Sequence, residues 1–318
     1  MNEEDDGYGQ DESPVRQYTT LQLQSSKRKP VIVELTSSLP ASGKTNFLYS
    51  VTARAVLSSE HGGQGTAVVW FDTDGRFSAT RLREVVLGVV SSSDSDEQDR
   101  ESLVQEALMH VHVFRPQSSR QLIETLDCLS PYLLDATAHS SIRRRLGLLV
   151  LDSATAFYWQ DRFEAEAARF EHPEKPRDKP SRTVEVVTRL KKMQKEFDCA
   201  VMFSTSAHCT TAGRHAPIVG SENAAPQEPR SISPWATFAN LTLNMSRVDV
   251  PRFAAHMSLQ ACLRDREKRQ EAVVKGSFAA EVDRSGSEMW TAGLKEKWRQ
   301  LDPGGSFEFS ISTSVTLW

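Results

Sequence analysis

Short apolar runs alternate along most of the chain with stretches in which apolar residues recur every three or four positions. The runs Val31–Thr36, Thr66–Asp72, Val111–Phe114, Leu146–Asp152 and Ala200–Ser204 are each bounded by turn-forming or charged residues, as strands buried on both faces should be. Between them, Lys44–Leu57, Ala79–Val90, Ser118–Asp135 and Arg182–Phe197 carry a helical period, seen in Val184, Val187 and Leu190. This alternation predicts βαβ units, hence an α/β fold with a mainly parallel sheet and helices on both faces. After Trp235 the period shortens to two over Phe238–Asn244, Ala255–Leu263 and Val273–Val282. These segments predict antiparallel strands that extend the same sheet.

The polar stretches divide the chain. Residues 1–30 hold an acidic half (Glu3, Glu4, Asp5, Asp6, Asp11, Glu12) and a basic knot (Lys27, Arg28, Lys29), and predict a disordered tail. A core over 31–290 follows, with polar insertions at 91–101, 164–182 and 210–234, and 291–318 forms a C-terminal extension. Composition alone reads the insertions as disordered, yet the last two follow strand ends, where α/β proteins place binding loops. No apolar run exceeds six residues, against the ~20 needed to cross a bilayer. The acidic start offers no signal peptide. The four cysteines, Cys128, Cys199, Cys209 and Cys262, lack zinc or redox spacing and read as reduced core thiols. Lys+Arg 38 against Asp+Glu 42 leaves a net charge of −4, so any nucleic-acid contact must come from local patches or a partner.

The sharpest chemical feature is the run Ser38-Leu39-Pro40-Ala41-Ser42-Gly43-Lys44-Thr45, which leaves a strand and opens a helix. Phosphate binding at a helix N-terminus needs curled backbone N–H groups, a lysine reaching the β and γ oxygens, and a hydroxyl for Mg²⁺. Gly43, Lys44 and Thr45 supply these, with Ser38, Pro40, Ala41 and Ser42 forming the rest of the cradle. Ser38 stands where the first glycine of the phosphate-loop pattern belongs, so the turn is expected to form with a Cβ present and to loosen the cradle. Downstream, Leu146–Ser153 is an apolar strand ending in Asp152, placed to hold Mg²⁺ opposite Thr45. Asp72 and Asp74 end another strand, and one of them is a candidate for positioning an attacking water.

Thr52–Leu57 (TARAVL), Trp70–Phe77 (WFDTDGRF), Leu148–Trp159 (LLVLDSATAFYW) and Ala200–Ser206 (AVMFSTS) together resemble the ATPase core of RecA-type recombinases and their paralogues. The resemblance covers roughly residues 31–205. It implies a RecA-like P-loop ATPase core that uses ATP and Mg²⁺. It also implies a nuclear subunit of a homologous-recombination complex that repairs DNA double-strand breaks, assembled with RecA-like recombinase paralogues in a hetero-oligomer on single-stranded or junction DNA.

Departures from the family pattern shape this expectation. Asp74 stands where the recombinases place a water-polarising Glu, and Ala207 stands where they carry a Gln that senses the γ-phosphate. One missing methylene withdraws the Asp74 carboxylate by about 1.5 Å, so at most a slow DNA-dependent ATPase is expected. The family's helical N-terminal domain is not seen ahead of the first strand. The F-x-x-A match, Phe197-Asp198-Cys199-Ala200, enters a strand and is expected to be buried rather than to plug into a neighbour. The alternative from the residues is a P-loop small-molecule kinase or phosphotransferase with 164–182 as its lid. A GTPase is disfavoured because no N-K-x-D occurs. Three basic clusters read as solvated charge by default: Arg143–Arg145; Lys191, Lys192 and Lys195; and Arg264, Arg266, Lys268 and Arg269 at an expected hairpin tip. The hairpin is the best of these for contact with DNA or a partner. His208 beside Cys209 has no acidic partner that would make it catalytic.

Overall fold

The computed structural model describes residues 31–90, 97–171, 180–210, 233–248, 253–254, 256–283, 295–296, 305–311 and 315–317. The expected tail, 1–30, and nearly all of the insertion 210–234 lie outside these residues. Parallel strands β1 (Ile32–Ser37), β2 (Ala67–Asp72), β3 (Val111–Phe114), β4 (Leu146–Asp152), β5 (Ala200–Ser206) and β6 (Leu241–Arg247) are followed by antiparallel β7 (Ser277–Asp283), β8 (Ser306–Ile311) and β9 (Val315–Leu317). They form one nine-stranded sheet in the order β3-β2-β4-β5-β1-β6-β7-β8-β9.

Successive side chains of a strand point to opposite faces, and the central strands bury both. Val68, Trp70, Leu148 and Val150 face helices α1 (Lys44–Val56), α2 (Ala79–Val90) and α3 (Glu97–Leu108). Val69, Phe71, Leu149, Leu151 and Phe203 face α4 (Ser119–Leu134) and α6 (Arg182–Phe197), with α5 (Tyr158–Glu171) between those two helices in sequence. Removing a buried ring such as Phe203, which is 0% exposed, would cost about 3–5 kcal/mol. Gly147 sits at a register shift between β2 and β4, where a Cβ would lie 2.3 Å from Thr66 Oγ1, so the strands meet there only through glycine.

Several expectations are corrected. Residues 97–101 of the first expected insertion open α3, whose Val104 and Ala107 join the core. Residues 164–171 of the second continue α5, and Arg182 begins α6. Phe238–Asn244 is strand only from Leu241: Phe238 ends the short helix α8 (Pro234–Phe238), which follows the four-residue α7 (Ala207–Thr210), and β6 pairs antiparallel to β7 as expected but parallel to β1 on its other side. Its alternation, with Leu241, Leu243 and Met245 buried, reflects a strand covered on one face only. Of the segment Ala255–Leu263, the described residues 256–263 contain no strand. The Ser258 hydroxyl accepts from Ala261 N–H at 3.3 Å and caps α9 (Leu259–Lys275), so the basic cluster expected at a hairpin tip lies on a helix. Residues 306–311 and 315–317, assigned to the extension, continue the sheet beside β7. Of the cysteines only Cys199 is a core thiol, and burial pushes it up to about 12, while Cys128 is exposed.

At the N-terminal end of β3, away from the strand ends that carry the phosphate loop, two buried imidazoles share one hydroxyl. His110 Nδ1 and His112 Nε2 each lie 2.9 Å from Ser141 Oγ, and His112 Nδ1 lies 2.9 Å from the Tyr132 hydroxyl. Desolvation holds both histidines at about 4, reinforced by Arg144 and His139 beside His110 and by His139 and His110 beside His112. Their folded values lie below the ordinary 6.5, so the stability they allow is complete above that pH and is lost as pH falls from 6.5 toward 4. Urea midpoints measured across this range should fall with a slope reflecting uptake of up to about two protons on unfolding, and the double variant His110→Asn, His112→Gln should flatten it.

A candidate nucleotide site at the strand ends

The loop between β1 and α1 carries the phosphate-loop residues. Ser38, Pro40 and Ala41 are exposed and Ser42 is buried. The left-handed positions are Ala41 (φ 56°) and Gly43 (φ 84°), not Ser38, so the missing first glycine imposes no left-handed strain at its own position. Gly43 is required twice over. Its backbone is left-handed, and a Cβ would lie 3.0 Å from Phe278 Cδ1 and 3.1 Å from Ile311 Cδ1, so β7 and β8 pack against the back of the loop. Lys44 Nζ reaches back across the loop, donating to the Ser37 hydroxyl and, at 3.3 Å, to Ser42 Oγ. Burial lowers the Lys44 ammonium, with Asp152 and Asp74 pulling it back up and Arg76 adding to the lowering.

Thr45 Oγ1 donates to Asp152 Oδ2 at 2.7 Å, and the Ser204 hydroxyl donates to Asp152 Oδ1. Asp152 is buried, and both its oxygens are therefore engaged, from α1 on one side and β5 on the other. A hydroxyl and a carboxylate held together beside a lysine and a left-handed glycine are the hard-oxygen donor set and anion cradle that fit a magnesium–nucleoside triphosphate. Thr45 and Asp152 would hold the metal and Lys44 the phosphates.

The two carboxylates at the end of β2 have separate tasks. Asp72 is buried; its Oδ1 accepts from Arg76 N–H at 2.9 Å and its Oδ2 from Arg115 Nε at 3.1 Å, which closes the turn. Tyr49 clamps the far side of that turn, its hydroxyl accepting from Ser78 N–H at 2.7 Å. Asp74 is exposed and faces the site, its N–H 3.4 Å from Asp152 O. Desolvation and then the Asp152 charge push its carboxyl above the ordinary range, while Arg76 and Lys44 oppose this. Sequence reasoning missed Ser37, Tyr49 and Ser204. Only the β-strand alternation that aims Ser204 toward α1 could have signalled any of them.

The remaining candidates fall elsewhere. Ala207 is buried at the start of α7, and the side chain of His208 lies outside the described residues. Phe197 is 2% exposed and Cys199 0%, so the F-x-x-A match is part of the core. Arg144 donates to Val56 O at 2.6 Å and pairs with Glu106 at 2.9 Å, a structural use of the first basic cluster. Arg269 pairs with Asp265 and stacks 4.1 Å over Phe253.

The α/β architecture, with its mostly parallel sheet and antiparallel last strands, fits a RecA-like core. The chain is related to the RecA-type recombinases and their paralogues. It is 35% identical over 120 residues to "DNA repair protein XRCC2" of Mus musculus, covering 38% of this chain and 38% of that protein. It is 27% identical over 118 residues to "DNA repair and recombination protein RadA" of Methanoculleus marisnigri, covering 37% of this chain and 33% of that protein. The matched stretches thus span about a third of each relative. No family model matches the chain.

Ala41→Gly should relieve left-handed strain of about 1–2 kcal/mol, partly offset by the entropy of a new glycine, and so raise the urea midpoint slightly. Gly43→Ala, which puts a Cβ into a left-handed position against Phe278 and Ile311, should lower the urea midpoint.

Proposed function

We propose that the chain is an ATP-binding recombinase-paralogue subunit acting in homologous-recombination repair of DNA double-strand breaks in the nucleus. In this reading ATP·Mg²⁺ sits on the phosphate loop with Thr45 and Asp152 at the metal, and the subunit assembles with RecA-like paralogues on single-stranded or junction DNA. The observation that carries the proposal is the Thr45–Asp152 contact at 2.7 Å, made across the strand order β2-β4-β5-β1 in a chain related to recombinases. Hydrolysis is slow or absent. Asp74 has a short reach and a raised carboxyl, and Ala207 offers no amide to report the γ-phosphate. The kinase alternative loses support because 164–171 of the segment expected to be its lid continue helix α5, which is tied to α6 by ion pairs from Asp161 and Glu164 to Arg182. The decisive experiment is a pull-down of the purified chain against RecA-like paralogues and DNA. Stable capture supports the assembly role, and multiple turnover of ATP with a small acceptor refutes it.

Two substitutions test the site. Lys44→Ala should weaken ATP·Mg²⁺ binding about 10- to 100-fold, the loss of a charge-assisted contact of ~1.5–3 kcal/mol; an unchanged titration refutes the site. Asp74→Glu should raise single-turnover hydrolysis while leaving ATP affinity nearly constant, because that carboxylate serves the transition state. Wild-type turnover on the order of 10 s⁻¹ would contradict the slow-hydrolysis reading.

A further inference from the structure

The turn after β2 carries an arginine that belongs to no phosphate-binding motif. Arg76 is fixed through its backbone: its N–H donates to Asp72 Oδ1 at 2.9 Å, and the Tyr49 hydroxyl of α1 lies 3.5 Å from its carbonyl oxygen. Gly75 before it is left-handed (φ 67°), and the N–H groups of Thr73 and Asp74 point to Asp152 O at 3.0 and 3.4 Å. Tyr49 is itself held by stacking on Trp70 at 5.1 Å. The main chain of the turn is therefore tied to β2, β4 and α1 at once. The Arg76 side chain, in contrast, is exposed and has no hydrogen-bond or ion-pair partner among the described residues. Its neighbours are engaged: Arg115 pairs with Asp72 at 3.1 Å, and Arg81 spans Asn46 at 3.1 Å and Glu84 at 2.8 Å.

The free guanidinium acts on the candidate site. Burial lowers the Lys44 ammonium and Arg76 adds to it; burial and then Asp152 raise the Asp74 carboxyl, and Arg76 opposes this more strongly than Lys44 does. A charge felt by both groups stands on the side of Lys44 where Asp74 lies. A phosphate-loop lysine serves the β and γ oxygens, and a carboxylate in the position of Asp74 faces the far side of the γ-phosphate. Arg76 therefore borders the third phosphate rather than the base. The local charges agree with this placement. Asp72 is engaged by Arg115, which leaves Lys44 and Arg76 against Asp74 and Asp152, and a metal on Asp152 would neutralise that carboxylate. ATP carries more negative charge than ADP, at the γ position, and a guanidinium without an acidic partner is the group left to receive it.

We propose that Arg76 contacts the γ-phosphate and makes the site hold ATP in preference to ADP. This inference rests on the ATP·Mg²⁺ site proposed above and adds which residue discriminates the third phosphate. The contact is made within one chain from a turn that the strand ends already fix, so only one side chain has to be ordered for it. It also supplies a γ-phosphate contact where Ala207 has no amide to offer. The difference is one of place, since Arg76 is tied to β2 and α1 and not to the segment that follows β5. A subunit with slow hydrolysis and this contact stays loaded with ATP.

The test titrates the full chain, bound to its RecA-like partner where it is purified that way, with the magnesium complexes of ADP and of the non-hydrolysable β,γ-imido analogue of ATP. Arg76→Ala should weaken the triphosphate analogue about 10- to 100-fold and ADP by less than about twofold, the loss of one charge-assisted contact. Its urea midpoint should match the wild type, because the backbone bonds of residue 76 remain. Arg76→Lys should recover part of the lost affinity, and Lys44→Ala should weaken both nucleotides. Phosphorus NMR of the bound analogue reports the contact itself: Arg76→Ala should move the γ resonance more than the α resonance. Equal loss of both nucleotides in Arg76→Ala, or a shift confined to the α resonance, overturns the assignment and spares the nucleotide site. So does unaltered affinity in Arg76→Ala while Lys44→Ala still weakens both. Lys44→Ala without effect on either nucleotide overturns the site and this inference together.

Discussion

A buried carboxylate cannot be left unpaired, and the Asp152 side chain turns that constraint into architecture. It ends a strand buried on both faces, so it must find donors within the protein. Thr45 supplies one from the first turn of α1 and Ser204 the other from β5. The phosphate loop is therefore closed onto the sheet by the residue that would also hold the metal. The same strand end accepts the backbone N–H groups of Thr73 and Asp74, so the β2 turn is tied to it as well. Three loops of different chemistry take their positions from one side chain and its carbonyl.

Most of the parallel core was legible because burial on both faces leaves few readings for a run such as Leu146–Asp152. β3 and β4 and two of the helices begin and end where their periods do. The phosphate loop was legible for a different reason, since its chemistry demands particular residues in a fixed order. Where only one face is covered, the pattern failed. β6 alternates because nothing as continuous as α1 lies on its other side, and alternation alone does not report strand direction. α9 looked like a strand because Leu259 and Leu263 are exposed and carry no core signal, while the Ser258 cap is a single hydroxyl in a polar stretch. α5 was hidden by its composition, since a helix with no buried residue has no reason to display an amphipathic period.

The candidate site was legible in its motif residues and silent in their supports. Lys44, Thr45 and Asp152 are named by motif, but Ser37, Tyr49 and Ser204 are ordinary residues whose roles exist only once strands are adjacent. Ala41 is the instructive case. The departure visible in sequence, Ser38 for glycine, is sterically harmless, whereas the strained position carries an alanine that no motif flags.

Gly43 lies against Phe278 and Ile311, and Phe47 of the following helix meets Phe307 and Phe309 at 6.1 and 5.6 Å. The last strands of the sheet are thus a wall behind the candidate nucleotide loop, although none of their residues belongs to any phosphate-binding pattern. A chain shortened before Ser306 would keep every residue named by motif and still lose the surface that holds the loop's glycine in shape. Loss of nucleotide affinity on such a truncation would therefore say nothing about contacts to the nucleotide itself. It would report an unbacked hinge between β1 and α1.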